Sequence, residues 1–530
     1  MASCPTLLIS GNYAGLSIAE EACPGVLPSP ESNTKWYEQD VNDFNDFKTT
    51  YESISKNTIN AKRKNRKGST VSEQASGGFN TDIGKSNLTR LLQGFFFANA
   101  RQPADIKNQL NGTQYTLAGA DMADANGGLD DSFTYASGHL DTAGFAVSDL
   151  IYKYGWDDLL DNGLAKVLTV GSTALTCTAD VTRTNNTIAS PPTNAGFRVV
   201  GIQFDSADAE ISYVSSILAL TTSTYDFTAN VNLFEGMWIF LGGDATGNKF
   251  ANNVGYARIR EITENALILE EPTWTPATEG GTGKAIRLFF GTTIKDENTV
   301  NLIKQRTYQL ERSLGLSSEG NTQAQYVLGA IANELKVNIP AKSKATADLG
   351  FIGTSSEVRS GTGSDLIKAG TRVPFIDEDP VNTSTDVYLM RMGLTNDTSL
   401  VTTLFAFLTE SNLTISNGAT PQPAIGLLGA LALTVGNFDV KGSVTAYFTT
   451  TEAIAAIKYL KNVSLTYILA KNNAGLVFDL PKVGLMGGDV DVKKDSPILL
   501  PLEASAFEGP HGYTASYTEF TYLPDVAMPG

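Results

Sequence analysis

The residues best suited to chemistry in this 530-residue chain are few and scattered. His139 and His511 are its two histidines, and Cys4, Cys23 and Cys177 its three cysteines. Their spacing matches no zinc-ligand pattern. No Gly-x-Ser-x-Gly occurs, so no serine is presented as a nucleophile with a base to activate it. Gly280-Gly-Thr-Gly-Lys284 has part of a phosphate-loop composition. The first glycine is missing at the required distance, however, and Ala285 stands where Ser or Thr would reach a magnesium ion. The stretch therefore reads as a turn. Asp157-Asp158 and Asp377-Glu378-Asp379 could serve acid/base work or hold calcium, but adjacent carboxylates on loops are ordinarily solvated. These residues imply no catalytic site, no metal site and no cofactor.

One charge run stands out. Lys62, Arg63, Lys64, Arg66 and Lys67 place five cations within six residues of a chain whose net charge is −17. No aromatic residue is interleaved to stack on bases, and the overall acidity disfavours indiscriminate nucleic-acid binding. An electrostatic contact with an adjacent subunit is the expectation, with Asp377–Asp379 as one acceptor.

The surrounding sequence is a frame for packing. Phe438, Val440, Val444 and Phe448 alternate with Asp439, Lys441, Ser443 and Thr445, a strand with one dry and one wet face. Thr449-Thr-Thr-Glu452 has capping-box spacing and opens a short helix with Ala453, Ile454, Ile457, Leu460 and Lys461 on one stripe. Strands over 463–470 and 476–485 follow, joined by a turn at 471–475. Earlier, Ser86 is positioned to cap a helix whose Leu88, Leu91, Leu92, Phe95 and Phe96 form one apolar stripe, a core-facing helix. Residues 330–352 read as a hairpin wet on one side. Glu334, Lys336 and Asn338 oppose Leu335, Val337 and Ile339, and beyond Pro340 Lys344 and Asp348 oppose Leu349 and Phe351.

Abundant Gly, Thr, Ser and Asn among β-branched runs describe a mainly β protein of two to four domains. Residues 1–50 read as an N-terminal arm whose aromatics pack against something. Residues 161–291, a series of short β runs and turns, read as an inserted all-β domain between the parts 51–160 and 292–530. Residues 354–385 read as a long exposed loop, and no internal repeat is visible. Met1-Ala-Ser-Cys-Pro lacks the features of a secretion signal, and the odd cysteine count fits folding in a reducing cytoplasm. The longest apolar run, 424–433, is too short to span a bilayer.

Several stretches, in order, resemble the tail tube (major tail) proteins of long-tailed bacteriophages. These are 77–82 leading into 87–98, 325–329 leading into 338–340, then 415–422, 435–449 and 478–483. The resemblance implies a β-sandwich or barrel-wall fold with short flanking helices. It also implies a virion component assembled in the host cytoplasm as stacked, hexameric rings. Partners would be further copies of the chain, the tape-measure protein inside the tube, and tail terminator and tip proteins. DNA would be a passenger that is not specifically bound, and no membrane would be involved. In such a tube the wet faces would line the lumen, through Glu334, Lys336, Asn338, Lys344, Asp348, Asp439 and Lys441. A secreted or surface β-protein that binds carbohydrate is the alternative, and the missing secretion signal and odd cysteine speak against it.

Overall fold

The computed structural model describes residues 10–56, 66–107, 123–124, 130–134, 141–156, 162–178, 195–316, 321–361, 367–395, 402–404, 408–448, 451–487 and 490–529. Asp157-Asp158, His139, Cys4 and Lys62–Lys64 lie outside them.

Strands dominate, in an 18-stranded sheet, a 14-stranded sheet and one two-stranded sheet. The strands of the largest are numbered in chain order: β1 (Gly15–Glu20), β2 (Lys35–Gln39), β3 (Lys48–Lys56), β4 (Arg66–Asp82), β5 (Thr292–Lys295), β6 (Tyr308–Leu316), β7 (Thr322–Pro340), β8 (Thr346–Gly353), β9 (Ser355–Gly361), β10 (Thr371–Val373), β11 (Val387–Leu394), β12 (Thr402–Thr403), β13 (Leu408–Ser416), β14 (Asp439–Tyr447), β15 (Val463–Lys471), β16 (Ala474–Gly487), β17 (Leu499–Ala506) and β18 (Ser516–Phe520). Among the described residues two α-helices join them, α1 (Thr89–Phe96) and α2 (Glu452–Lys458).

The residues read as an arm are part of this sheet. β1 pairs with both β2 and β6, and β2 runs parallel to β10. Trp36 is fully buried and donates its indole N–H to the Ala369 carbonyl at 3.0 Å. The aromatics pack on their own chain. The stretch read as a long loop likewise holds β9, paired along β7, and β10. Its Ser/Thr/Gly composition hid strands that earn their place by backbone pairing rather than by an apolar face.

Helix α1 begins later than its sequence suggests. Ser86 donates its N–H and hydroxyl to Glu378 and caps nothing, while Leu88 occupies the N-cap position without a side-chain bond. The preceding turn is tied instead by Asn87, which accepts from Gly84 N–H and donates to the Asp82 carbonyl. Leu88, Leu91, Leu92, Phe95 and Phe96 are all buried. Gly94 lets Tyr308 approach, since a Cβ there would lie 2.6 Å from the Tyr308 hydroxyl oxygen. At α2 Thr451 occupies the N-cap position without a side-chain bond, and Thr449, read as the cap, lies outside the described residues. Leu460 falls beyond the helix in a left-handed conformation and is exposed, so it leaves the expected stripe.

The hairpin β15–β16 turns through Asn472 and Asn473, both at positive φ (50° and 57°), with Lys471 opposite Ala474. Two consecutive positive φ values match the right-handed twist of the strands, and Asn tolerates them.

All of the 14-stranded sheet falls within residues 105–289, between α1 and β5. Its strands begin with Asp105–Lys107 and Asp149–Tyr154, so the pairing boundary precedes residue 161. It has its own core, with Phe197, Ile202, Ile211, Leu241, Ile259 and Leu288 among the buried residues.

Candidate functional site

The layers stack in a fixed order because β15 and β16 are buried on both sides. Leu465, Tyr467, Leu476 and Phe478 point into the main core, together with the dry residues Leu335, Val337, Leu349, Ile415, Val440 and Leu502 of the facing strands. Ile468 and Val477 point the other way, into a second cluster with Trp238, Phe240, Tyr256 and Phe289 of the 14-stranded sheet. Beyond the main core, on the side away from that sheet, lies an open polar face.

This face crosses eight consecutive strands in the order β3-β4-β8-β7-β13-β14-β17-β16. Where they cover the core its strands alternate, whereas β3 is exposed over nearly its whole length. On β14, Asp439 and Lys441 are exposed while Val440, Gly442, Val444 and Ala446 are buried. Because successive side chains oppose one another, one register row carries Asn80, Asp348, Lys336, Thr414, Lys441 and Ser505 across six strands. The next row carries Asp82, Thr346, Asn338, Asn412, Ser443 and Glu503. A third places Glu334 beside Gly350 and Ser416, which in turn faces Asp439.

All seven residues singled out from sequence, Glu334, Lys336, Asn338, Lys344, Asp348, Asp439 and Lys441, therefore lie on the open side, each exposed or half-buried. Sequence reasoning missed the contribution of β4 and β13. Gln74, Ser76, Asn80 and Asp82 alternate with buried Ala75, Gly77, Phe79 and Thr81, the same period-two signal, interrupted where Gly78 is also buried.

Charges on this face are satisfied locally. The Asp348 carboxylate accepts three side-chain amides, from Asn45 (2.6 Å), Asn80 (2.7 Å) and Asn338 (2.9 Å). Asp82 is held by Lys344 at 2.6 Å and by Asn42 at 2.5 Å. Lys441 bonds Asp439 at 2.8 Å, and that bond raises the lysine pKa above its ordinary value. The pair is exposed, and such pairs contribute little to stability. What they do is pair two lysines of the face, Lys344 and Lys441, with carboxylates beside them.

The other candidates resolve into structure. Gly281 and Lys284 close a turn, with Lys284 N–H on the Gly281 carbonyl at 2.8 Å and its ammonium 3.2 Å from Glu279. Glu378 is engaged by Ser86, and Asp377 and Asp379 are exposed beside it, lining a cleft with Lys85 and Lys471. Of the basic run, Lys67 is exposed and Arg66 begins β4.

A buried ion cluster that no sequence pattern announced joins the two large sheets. Arg258 bonds Glu270 (2.7 Å), Glu271 (2.6 Å) and Asp479 (2.8 Å), and Arg391 reaches Glu271 at 3.0 Å. Ser464, Thr466 and Tyr513 bond the same carboxylates, and His511 Nε2 lies 2.7 Å from Glu270. Every member is held by another, which makes this a fastening between layers rather than a site open to substrate.

No curated protein matches the chain. A model of one family, described as phage tail tube protein, matches residues 11–506. With a mainly β fold and an amphipathic wall of eight strands, the chain belongs to the phage tail tube proteins, structural components of the virion tail.

Proposed function

We propose that copies of this chain close into rings in which the wall repeats six times around the axis, that the rings stack into the tail tube, and that the eight-strand polar face lines its lumen. There it houses the tape-measure protein and then conducts DNA during ejection, with terminator and tip proteins closing the ends. The observation that carries this reading is the continuity of the polar face over eight strands. A surface open to water or to a sliding passenger requires such rows of polar side chains. Its chemistry suits passage. Each phosphate neutralised by a free cation adds affinity and slows sliding, and here Lys344 and Lys441 are matched with carboxylates on the same face.

The layer order supports an outward position for the 14-stranded sheet, which lies across the core from the polar face. A bulky outer layer leaves little room for a contractile sheath, which favours a flexible, non-contractile tail.

A cryo-EM map of assembled tubes tests the assignment directly. Lys336, Asp348 and Lys441 are expected to face the central channel. If they face the outer surface or the contact between successive rings, the lumen reading fails.

A further inference from the structure

The strand pairings of the large sheet occur twice. From β1 to β9, β1 pairs β2 and β6, β3 pairs β4, β4 pairs β8, β8 pairs β7, and β7 pairs β6 and β9. From β11 to β18, β11 pairs β12 and β15, β13 pairs β14, β14 pairs β17, β17 pairs β16, and β16 pairs β15 and β18. Substituting β11 for β1, β12 for β2, β13 for β3, β14 for β4, β15 for β6, β16 for β7, β17 for β8 and β18 for β9 turns the first set into the second. Every pairing in both sets is antiparallel.

Finer details agree. β7 and β16 are the long bent strands of their halves. Each pairs at its N-terminal end with the strand before it (β6, β15) and at its C-terminal end with the strand after it (β8, β17). A helix stands at the same place in each half, α1 after β4 and α2 after β14, and packs on the corresponding long strand, β7 or β16. In the second half only residues 459–462 separate helix from next strand, whereas in the first the whole 14-stranded sheet enters at that point. The second half thus shows the uninterrupted form of the unit.

The halves meet at one seam in the polar wall. There β7 pairs with β13 over Glu334–Pro340 and Glu410–Ser416. At the two ends of the eight-strand wall the same kinds of edge recur. Among the described residues β3, the counterpart of β13, pairs only with β4, and β16 beyond Val483, the counterpart of β7, pairs only with β17. The residues of β13 at the internal seam are covered, with Leu413 and Ile415 buried, whereas on β3 Tyr51 and Ile54 are 59% and 63% exposed. An edge strand with exposed apolar side chains is a pairing site awaiting a partner.

We propose that the chain is a tandem pair of tube-wall units, and that its internal seam is repeated between chains, β16 beyond Val483 of one copy pairing antiparallel with β3 of the next. The contact is head to tail and closes when rotation brings the last edge to the first. Resting on the ring reading above, a ring of six wall units then contains three chains and 24 wall strands. The same equivalence positions the basic run. The linker between β13 and β14 leans on the other half, where Leu428 accepts from Glu73 N–H and Thr354 accepts from Ala430 N–H. The start of β4, with Arg66 and Lys67, takes the corresponding place against the second half of a neighbouring chain.

The test uses the full chain with Cys4→Ser and Cys23→Ser, carrying Met486→Cys together with either Thr50→Cys or Glu52→Cys. All three positions lie on the polar side of the edge strands, where facing residues come within disulfide reach. Oxidised rings are expected to give a covalent species of three chains as the upper limit, roughly 170 kDa from a chain of 56.5 kDa. Averaged ring images should show threefold symmetry, and Met486→Cys alone should give no such species. Rings holding six chains with true sixfold symmetry would overturn the tandem assignment. Normal rings with no cross-link from either pair would overturn the seam. Failure of the parent chain to form any ring or tube would instead defeat the ring reading on which both rest.

Discussion

The guanidinium of Arg258, in the 14-stranded sheet, grips the carboxylate of Asp479 on β16 from 221 residues away, at 2.8 and 3.0 Å. Neither side chain is reached by solvent, at 2% and 0% exposure. Replacing one partner strands the other in an apolar layer, which costs roughly 3–5 kcal/mol. Arg258→Met should therefore lower the urea midpoint sharply, and Arg258→Met with Asp479→Leu should recover part of the loss. Glu270, held by Arg258 and His511 against its own burial, has a pKa lowered to about 2. A depressed carboxylate contributes stability that is present above its ordinary value of about 4.5 and lost as pH falls toward 2. Acid unfolding of Arg258→Met should accordingly begin at higher pH than in the parent.

Glu519 on β18 moves stability in the opposite direction with pH. Burial pushes its carboxyl up to about 7, with Thr89 donating a hydrogen bond to it. The folded protein therefore binds the proton more tightly than the unfolded chain. That contribution is complete below about pH 4.5 and disappears as pH rises through 7. Glu519→Gln should match the parent near pH 4 and exceed it at pH 8 by up to about 3 kcal/mol, since the carboxyl moves from 4.5 to about 7. Denaturant titrations at the two pH values check this. Equal stability of both proteins at pH 8 would show that the carboxyl is not strained by burial.

Asn473 closes the β15–β16 hairpin at positive φ and donates to the Leu523 carbonyl (3.0 Å) and Asp525 (2.6 Å). Asn473→Ala removes both bonds and places a less tolerant residue in the left-handed region. A loss of about 1–3 kcal/mol is expected. Asn473→Gly should keep the turn and lose only the bonds, so its thermal midpoint should fall between the two.

Replacing Lys62, Arg63, Lys64, Arg66 and Lys67 by Ser should slow polymerisation most at low ionic strength, because exposed charge pairs contribute roughly 0–1 kcal/mol each and are screened by salt. Light scattering across a salt series measures it. Unchanged polymerisation at every salt concentration, with impaired DNA ejection, would move the loop's role from subunit contact to DNA.

The sequence made the wall legible and the architecture around it opaque, for a physical reason. A strand between a dry core and open water must alternate, so Asp439–Tyr447 and Glu334–Ile339 announce themselves. Helix α1 does so too, because Leu88 through Phe96 must cover one stripe. β1 and β2 did not, because both are short and neither alternates: β1 is buried on both faces, and β2 buries Trp36 alone. Arg258, Glu271, Arg391 and Asp479 lie on four separate segments, and nothing in the sequence brings them together. The twofold recurrence was invisible for a related reason. It persists in which strand pairs with which, while the side chains have been free to change wherever a dry face stays dry.

The 14-stranded sheet leaves the chain from the first half and is fastened to the second, through Ile468, Val477, Phe520 and the Arg258 cluster. It works as a brace across the chain's own seam. Twisting one half against the other would shear a buried layer and break several desolvated ion pairs. When a tail flexes in solution or recoils at a cell surface, the bending is therefore expected to concentrate at unbraced joints between chains. The tube would behave as a stack of stiff segments linked by compliant hinges.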